Sequence, residues 1–259
     1  MGFVPRHLTG PITMPKRKTG GSTVEFIKTV VYAVLIAVVF RTLFFEPFNI
    51  PSGSMVPTLL IGDYVLVSKF SYGYSHFSMP FSPDLFSGRI FYTKPKRGDV
   101  AVFRLPRDPS IDYIKRIIGL PGDTVQMKGG QLFINGKEVK RVADGHYLYR
   151  GEGPPIEALR YTETLPNGVS HSILKFGNNE PLDNTPAYKV PPGDFFAMGD
   201  NRDDSEDSRV MSAVGFIPIT NLVGRADIVF FSVRPLAPWW EFWYWPIEIR
   251  WDRLFTVIH

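Results

Sequence analysis

Hydroxyls, amines, imidazoles and carboxylates are the groups in this chain that could do chemistry, because none of its 259 residues is cysteine. That absence excludes thiolate nucleophiles, zinc–thiolate sites and a disulfide framework. The five histidines, His7, His76, His146, His171 and His259, are scattered, and none has a metal-ligand spacing such as H-x-x-x-H. A Ser-His-Asp triad needs its members only to converge in space, yet no histidine has local context that supports one. Lys115 is more informative. It stands in "DYIKRIIGLPGD" (112–123), a strand-like run. On a strand, Tyr113, Lys115 and Ile117 share one face while Ile114, Arg116 and Ile118 share the other. The amine is therefore flanked by apolar groups whichever face it occupies. Most strand lysines reach out to water. One held among apolar groups behaves differently. Desolvation lowers its pKa from about 10.4 by as much as about 3–5 units and turns the amine into a general base for a nearby hydroxyl.

Two other stretches are rich in reactive groups. "SGSM" (52–55) sets two serines around a glycine, directly after a long apolar segment and a proline. "GDNRDDSEDSR" (199–209) packs five acids, two arginines and two serines into eleven residues. Its composition suggests a calcium loop, but the glycine and glutamate that an EF-hand needs at its sixth and twelfth positions are missing. A hydrated surface loop is the default. The alternative is a rigid network of Asp–Arg pairs and hydroxyls that holds the geometry of a site.

The elements that must position these groups are mostly strands. "DYVLVSKF" (63–70), "DVAVFRL" (99–105), "YIKRIIGL" (113–120), "TVQMK" (124–128) and "QLFINGKEV" (131–139) are β-branched and aromatic, with Gly, Pro and Asp turns between them. "INGKEV" carries an Asn-Gly hairpin signal. "FFAMGD" (195–200) and "ADIVFFSV" (226–233) return to strand character, and "PITNLVG" (218–224) predicts one short helical turn. Residues 140–190 are polar, rich in Pro and Gly and weakly periodic, which predicts a looser inserted subdomain. No internal repeat is evident.

Ahead of the strands, Phe26 to Phe45 is long enough to span a bilayer, since about 20 helical residues cover about 30 Å. A cleaved signal sequence is the alternative, but no small-x-small cleavage site follows. A buried core helix is another, disfavoured by Lys28 and Arg41 near the ends. Pro47 is expected to end the helix. Arg6, Lys16, Arg17, Lys18 and Lys28 precede or open the segment, no acid precedes Glu25, and the net charge is +4. This distribution suits a cytoplasmic membrane flank better than a nucleic-acid surface. All five tryptophans lie in "APWWEFWYWPIEIRW" (237–251), which suits either a membrane interface or ordinary packing.

Taken together, "SGSMVPTL" (52–59), "RGDVAVF…DYIKRIIGLPGD" (97–123), "GDNRDDSEDSR" (199–209) and "VGFIPITNLVGRA" (214–226), in this order after an apolar span, resemble the bacterial type I signal peptidases. The match is specific over 46–125 and 190–226 and weak elsewhere. The resemblance implies a mainly β protein: a largely antiparallel catalytic domain with an inserted β subdomain, preceded by one transmembrane helix. The expected division is a basic cytoplasmic N-terminus (1–23), the span (24–45), the catalytic β domain (46–125 and 190–235), the insert (126–189) and the Trp-rich segment (236–259).

The resemblance also assigns roles. Ser54 aligns with the nucleophile and Lys115 with the general base. The Ser52 hydroxyl and the Ser54 N–H align with the oxyanion hole, Ser205 with the serine that orients the amine, and Asp207 and Arg209 with charges that brace the site. Glu206 departs from the small residue common at its position and adds negative charge. Ile50, Pro51, Met55, Asp112, Tyr113 and Ile114 are the expected substrate contacts, beside which an extended peptide would add as a strand. The implied substrates are preproteins with small residues at −1 and −3. The protein is expected in the inner membrane as a single-pass monomer in contact with lipid, its N-terminus in the cytoplasm and its catalytic domain outside. No metal, cofactor or nucleic acid is expected. A self-cleaving repressor-type Ser/Lys autoprotease is disfavoured by the span, and a penicillin-binding-type acylase by the Met-Val-Pro that follows Ser54. A tethered, catalytically inert peptide-binding scaffold is the remaining alternative.

Overall fold

The structure, a computed structural model, describes residues 23–79, 82–83, 86–151, 153–234 and 245–259. The basic residues before position 23 and most of the Trp-rich segment (235–244) lie outside the described residues.

The apolar run forms helix α1 (Thr23–Leu43), 21 residues with no buried side chain. Among the described residues it is the one helix long and apolar enough to cross a membrane. It ends at Leu43, and Pro47 is not what stops it. Phe45–Asn49 instead form strand β1, antiparallel to β2 (Asp63–Ser68) with Pro47 opposite Leu66. β1 is an edge strand, where a proline's missing N–H is tolerated.

From β1 onward the chain is a set of antiparallel sheets. The largest joins β1 and β2 to β3 (Val100–Leu105) and β4 (Asp108–Gly119). Four later strands complete it: β12 (Asp194–Met198), β13 (Ile217–Pro218), β14 (Leu222–Ser232) and β15 (Thr256–Val257). Its order is β1-β2-β14-β3-β4-β12-β13, with β15 pairing on β14. β3 explains why "VAVF" reads as an unbroken apolar run. Val100 and Val102 pack with Met55, Leu59, Val65 and Val67 on one face; Ala101 and Phe103 pack with Ile117, Phe195 and Ile217 on the other. A strand buried on both faces loses polar alternation. The expected helical turn is present at Ile219–Asn221.

Between β4 and β12 the chain builds two smaller sheets. One contains β5 (Thr124–Lys128), β6 (Gln131–Ile134), β7 (Lys137–Glu138) and β11 (Tyr188–Lys189), in the order β11-β5-β6-β7. The Asn-Gly signal marks its hairpin: Asn135 and Gly136 have φ of 53° and 74°, the left-handed values that a tight type I′ turn requires. The other contains β8 (Lys140–Tyr149), β9 (Ile156–Thr164) and β10 (Ser170–Lys175). The expectation of a looser region over 140–190 is corrected for 140–175, while 176–187 carry no strand. β8, β9 and β10 are paired along most of their length, with one irregularity between Ala143 and His146. Their periodicity is weak because β8 is exposed along most of its length on both faces, so burial imposes no alternation.

Candidate active site

The loop after β1 is tied down before it reaches Ser54. Ile50 N–H donates to Asp63 O at 2.8 Å, and Gly62 N–H donates to Ile50 O at 2.9 Å. Ile50 and Met55 belong to the core beneath the loop, while Pro51 and Ser52 are exposed. The 199–209 loop holds the other side: Asn201 N–H donates to Ser54 O at 3.1 Å, and Asn201 Nδ2 to Gly53 O at 3.2 Å.

β4 supplies Lys115 at the point where the strand turns from exposed to buried. Its neighbour across the ladder is Ala101, whose small side chain leaves room for the lysine stem. Lys115 Nζ and Ser54 Oγ are 2.6 Å apart, and the residues are only 5% and 7% exposed. Burial pushes the lysine pKa down from 10.5 to about 8, although the carboxylates of Asp207 and Asp200 pull it up. The Tyr113 ring lies 5.3 Å from the amine on the same strand face. An amine that sheds its proton near neutral pH, within reach of a hydroxyl, can take that hydroxyl's proton. Ser52 Oγ is 3.4 Å from Ser54 Oγ.

The acidic loop is a network rather than a hydrated surface. Each of its five acids meets a partner. Asp200 receives Arg116 in a fork, 2.9 and 2.7 Å. Asp203 receives Lys175 at 2.7 Å, and Asp204 receives the Tyr149 hydroxyl. Glu206 accepts from Tyr113 Oη at 3.4 Å. Asp207 receives Arg209 in a second fork, 2.9 and 2.8 Å, and also accepts from Gly199 N–H at 3.0 Å. These donors hold the buried Asp207 carboxyl below its ordinary pKa against the opposing effect of burial. Ser205 Oγ is buried and makes no hydrogen bond in this structure. It lies beside Ser54 O, because a Cβ on Gly199 would meet both.

Asp112 pairs with Arg104 at 3.2 Å, and burial raises its pKa. Tyr113 and Ile114 are half-buried. β12 pairs with β4 only at Arg116, Ile117 and Gly119. Among the described residues, no strand pairs with the other edge of Asp112–Ile114.

Several groups at the site have no signal in the sequence. Arg202 forks onto Glu163 of β9 at 2.9 and 2.5 Å. His171 of β10 stands 3.5 Å from Glu163 and 3.8 Å from Asp200, with both ring nitrogens unpartnered. Burial and then Arg116 push its pKa to about 4, despite Asp200 and Glu163. Strand alternation placed Arg116 on the face opposite Lys115 but gave it no role at the site. Glu163, His171 and Tyr149 lie in the weakly periodic region, where no pattern marks a buried polar group.

A family model described as signal peptidase, peptidase S26, matches residues 23–231. Proteins named signal peptidase I from Rickettsia typhi and Rickettsia conorii are 42% and 43% identical to this chain. Those alignments cover 86% and 81% of this chain, and 85% and 79% of the relatives. A crystal structure of a signal peptidase I from Enterococcus faecalis is 26% identical over 51% of this chain and 97% of its own, at a TM-score of 0.30, too low to bear on the fold. The chain belongs to the signal peptidase family, peptidase S26.

Proposed function

We propose that this protein is a membrane-anchored serine endopeptidase that removes N-terminal signal peptides from exported preproteins, with Ser54 and Lys115 as its catalytic dyad. The observation that carries the proposal is the buried amine 2.6 Å from the Ser54 hydroxyl, its pKa lowered to about 8. Neutral Lys115 takes the Ser54 proton as Oγ attacks the scissile carbonyl carbon. The resulting ammonium gives that proton to the leaving amine, and the C–N bond breaks to leave an acyl-enzyme. Water then attacks the ester, Lys115 accepts its proton, and Ser54 recovers a proton as the acid product departs. The Ser54 N–H and Ser52 hydroxyl hold the developing oxyanion, worth about 2.7–4 kcal/mol per donor. The buried Ser205 hydroxyl, without a hydrogen bond in this structure, is left to orient the amine once Ser54 has reacted, and Asp207 with Arg209 braces the loop that carries Ser205.

The unpaired edge of Asp112–Ile114 supports an extended substrate that adds as a strand. Pro51, Tyr113 and Ile114 line the subsites, with Ile50 and Met55 forming their floor, and small side chains are selected at −1 and −3. The apolar helix and the family membership point to membrane anchoring. The basic N-terminal flank argues for a single pass through the inner membrane, with the catalytic domain outside.

The test is cleavage of a precursor with an Ala-x-Ala site by the detergent-solubilised chain, with the cut mapped by mass. Ser54→Ala and Lys115→Ala should each abolish cleavage while retaining the β-sheet circular dichroism. Undiminished cleavage by either variant would overturn the dyad. Failure of the folded wild type to cut would favour a peptide-binding scaffold.

A further inference from the structure

Tyr149 is the last residue of β8, in the small three-stranded sheet, yet it reaches both catalytic loops. It is 6% exposed and packs with Val56, Ala158 and Leu174. Its hydroxyl donates to the Asp204 carboxylate, one residue before Ser205. Its ring lies against Gly53, between Ser52 and Ser54. A Cβ on Gly53 would come within 2.1 Å of the Tyr149 hydroxyl oxygen and within 2.9 and 3.0 Å of ring carbons. Gly151 flanks the ring too, since a Cβ there would come within 2.7 Å of it. Neither glycine has the left-handed φ that would demand glycine for backbone reasons. Both are glycine because the tyrosine ring fills the space where a side chain would go.

We propose that Tyr149 is a positioning residue for peptide hydrolysis. Its ring sets the direction of the Gly53–Ser54 peptide, and with it the Ser54 N–H and Oγ. Its hydroxyl fixes the Asp204–Ser205 turn relative to them. Gly53 and Asp204 are 151 residues apart in the chain, and one side chain from the insert touches both. The insert thus reaches the nucleophile's loop through Tyr149 while, of the two loops, Glu163, His171 and Lys175 meet only the 199–209 loop, and removing the Tyr149 contact should lower turnover more than binding. This inference rests on the assignment of Ser54 as nucleophile.

The test uses the full chain in detergent and the Ala-x-Ala precursor. Tyr149→Phe, which keeps the ring and removes only the hydroxyl, should lower kcat about tenfold with KM within about twofold. The thermal midpoint should stay near that of the wild type, and the rate of Ser54 acylation by an active-site acylating inhibitor should fall in parallel. Gly53→Ala should be nearly inactive beside Tyr149 but recover activity at least about tenfold when combined with Tyr149→Ala, a coupling that independent sites would not show. A Tyr149→Phe enzyme with wild-type kcat overturns the role of the hydroxyl. Additive effects of Gly53→Ala and Tyr149→Ala overturn the role of the ring. Wild-type enzyme and Ser54→Ala are measured alongside. Cleavage that survives Ser54→Ala would instead remove the nucleophile assignment itself.

Discussion

Lys115 carries a charge in water and must lose it to accept a proton. With a pKa of about 8, its neutral fraction climbs about tenfold per pH unit up to that point and then levels. kcat/KM measured from pH 5 to 10 should follow this single rising limb; a flat profile would remove the lysine from the mechanism. The same desolvation destabilises the fold. Between pH 8 and 10.5 the unfolded chain holds the lysine proton and the native protein does not. Protons are therefore released on folding, and stability rises with pH across that window. Lys115→Met should raise unfolding free energy at pH 7 by on the order of 3 kcal/mol and flatten its rise from pH 8 to 10.5, as read by denaturant titration at both ends. Alternation on one strand was enough to single out this residue, since its neighbours Tyr113 and Ile117 are apolar and share its face. The protonation behaviour was not legible there, because it depends on what covers the amine.

The loop over 199–209 works as an element because its charges are satisfied one against one. Asp207→Ala would leave Arg209 buried and 3% exposed without its counter-charge. Losing one partner of such a pair costs about 3–5 kcal/mol, which should appear as a lower denaturant midpoint. Gly199→Ala tests the fit between this loop and the nucleophile. Its Cβ would fall 2.2 Å from Ser205 Oγ and 2.5 Å from the Ser54 carbonyl oxygen, and that backbone atom can move only with Ser54. A shift of this kind can cost about a hundredfold in rate, and kcat/KM on a protein of unchanged circular dichroism should show it. The composition of this loop made a hydrated surface the default and a rigid network the alternative. Five carboxylates in a row of eleven residues do not reveal that Arg116, Lys175, Tyr149, Tyr113 and Arg209 answer them.

Behind the dyad, buried charges tie the large sheet to the three-stranded one. Arg116 of β4 meets Asp200, Arg202 meets Glu163 of β9, and His171 of β10 faces both carboxylates. His171 stays neutral down to about pH 4, whereas in the unfolded chain it protonates near 6.5. Stability should therefore fall as pH drops through that interval, and His171→Gln should flatten this part of the curve while leaving the loss at lower pH, where the carboxylates protonate, in place. Thermal midpoints of the two proteins from pH 7 to 4 decide it. Local pattern determined the membrane-length helix, the strands around the dyad and the Asn-Gly hairpin, because hydrophobic periodicity and turn chemistry act over a few neighbouring residues. Tertiary structure alone decided which carboxylate meets which cation, that Tyr149 fills the space beside Gly53, and that the Lys115 amine is dry. Arg116 and Asp200 stand 84 positions apart in the chain, and Gly53 and Tyr149 stand 96 apart. Only packing brings them together, and only packing removes the water that would otherwise keep the Lys115 amine charged.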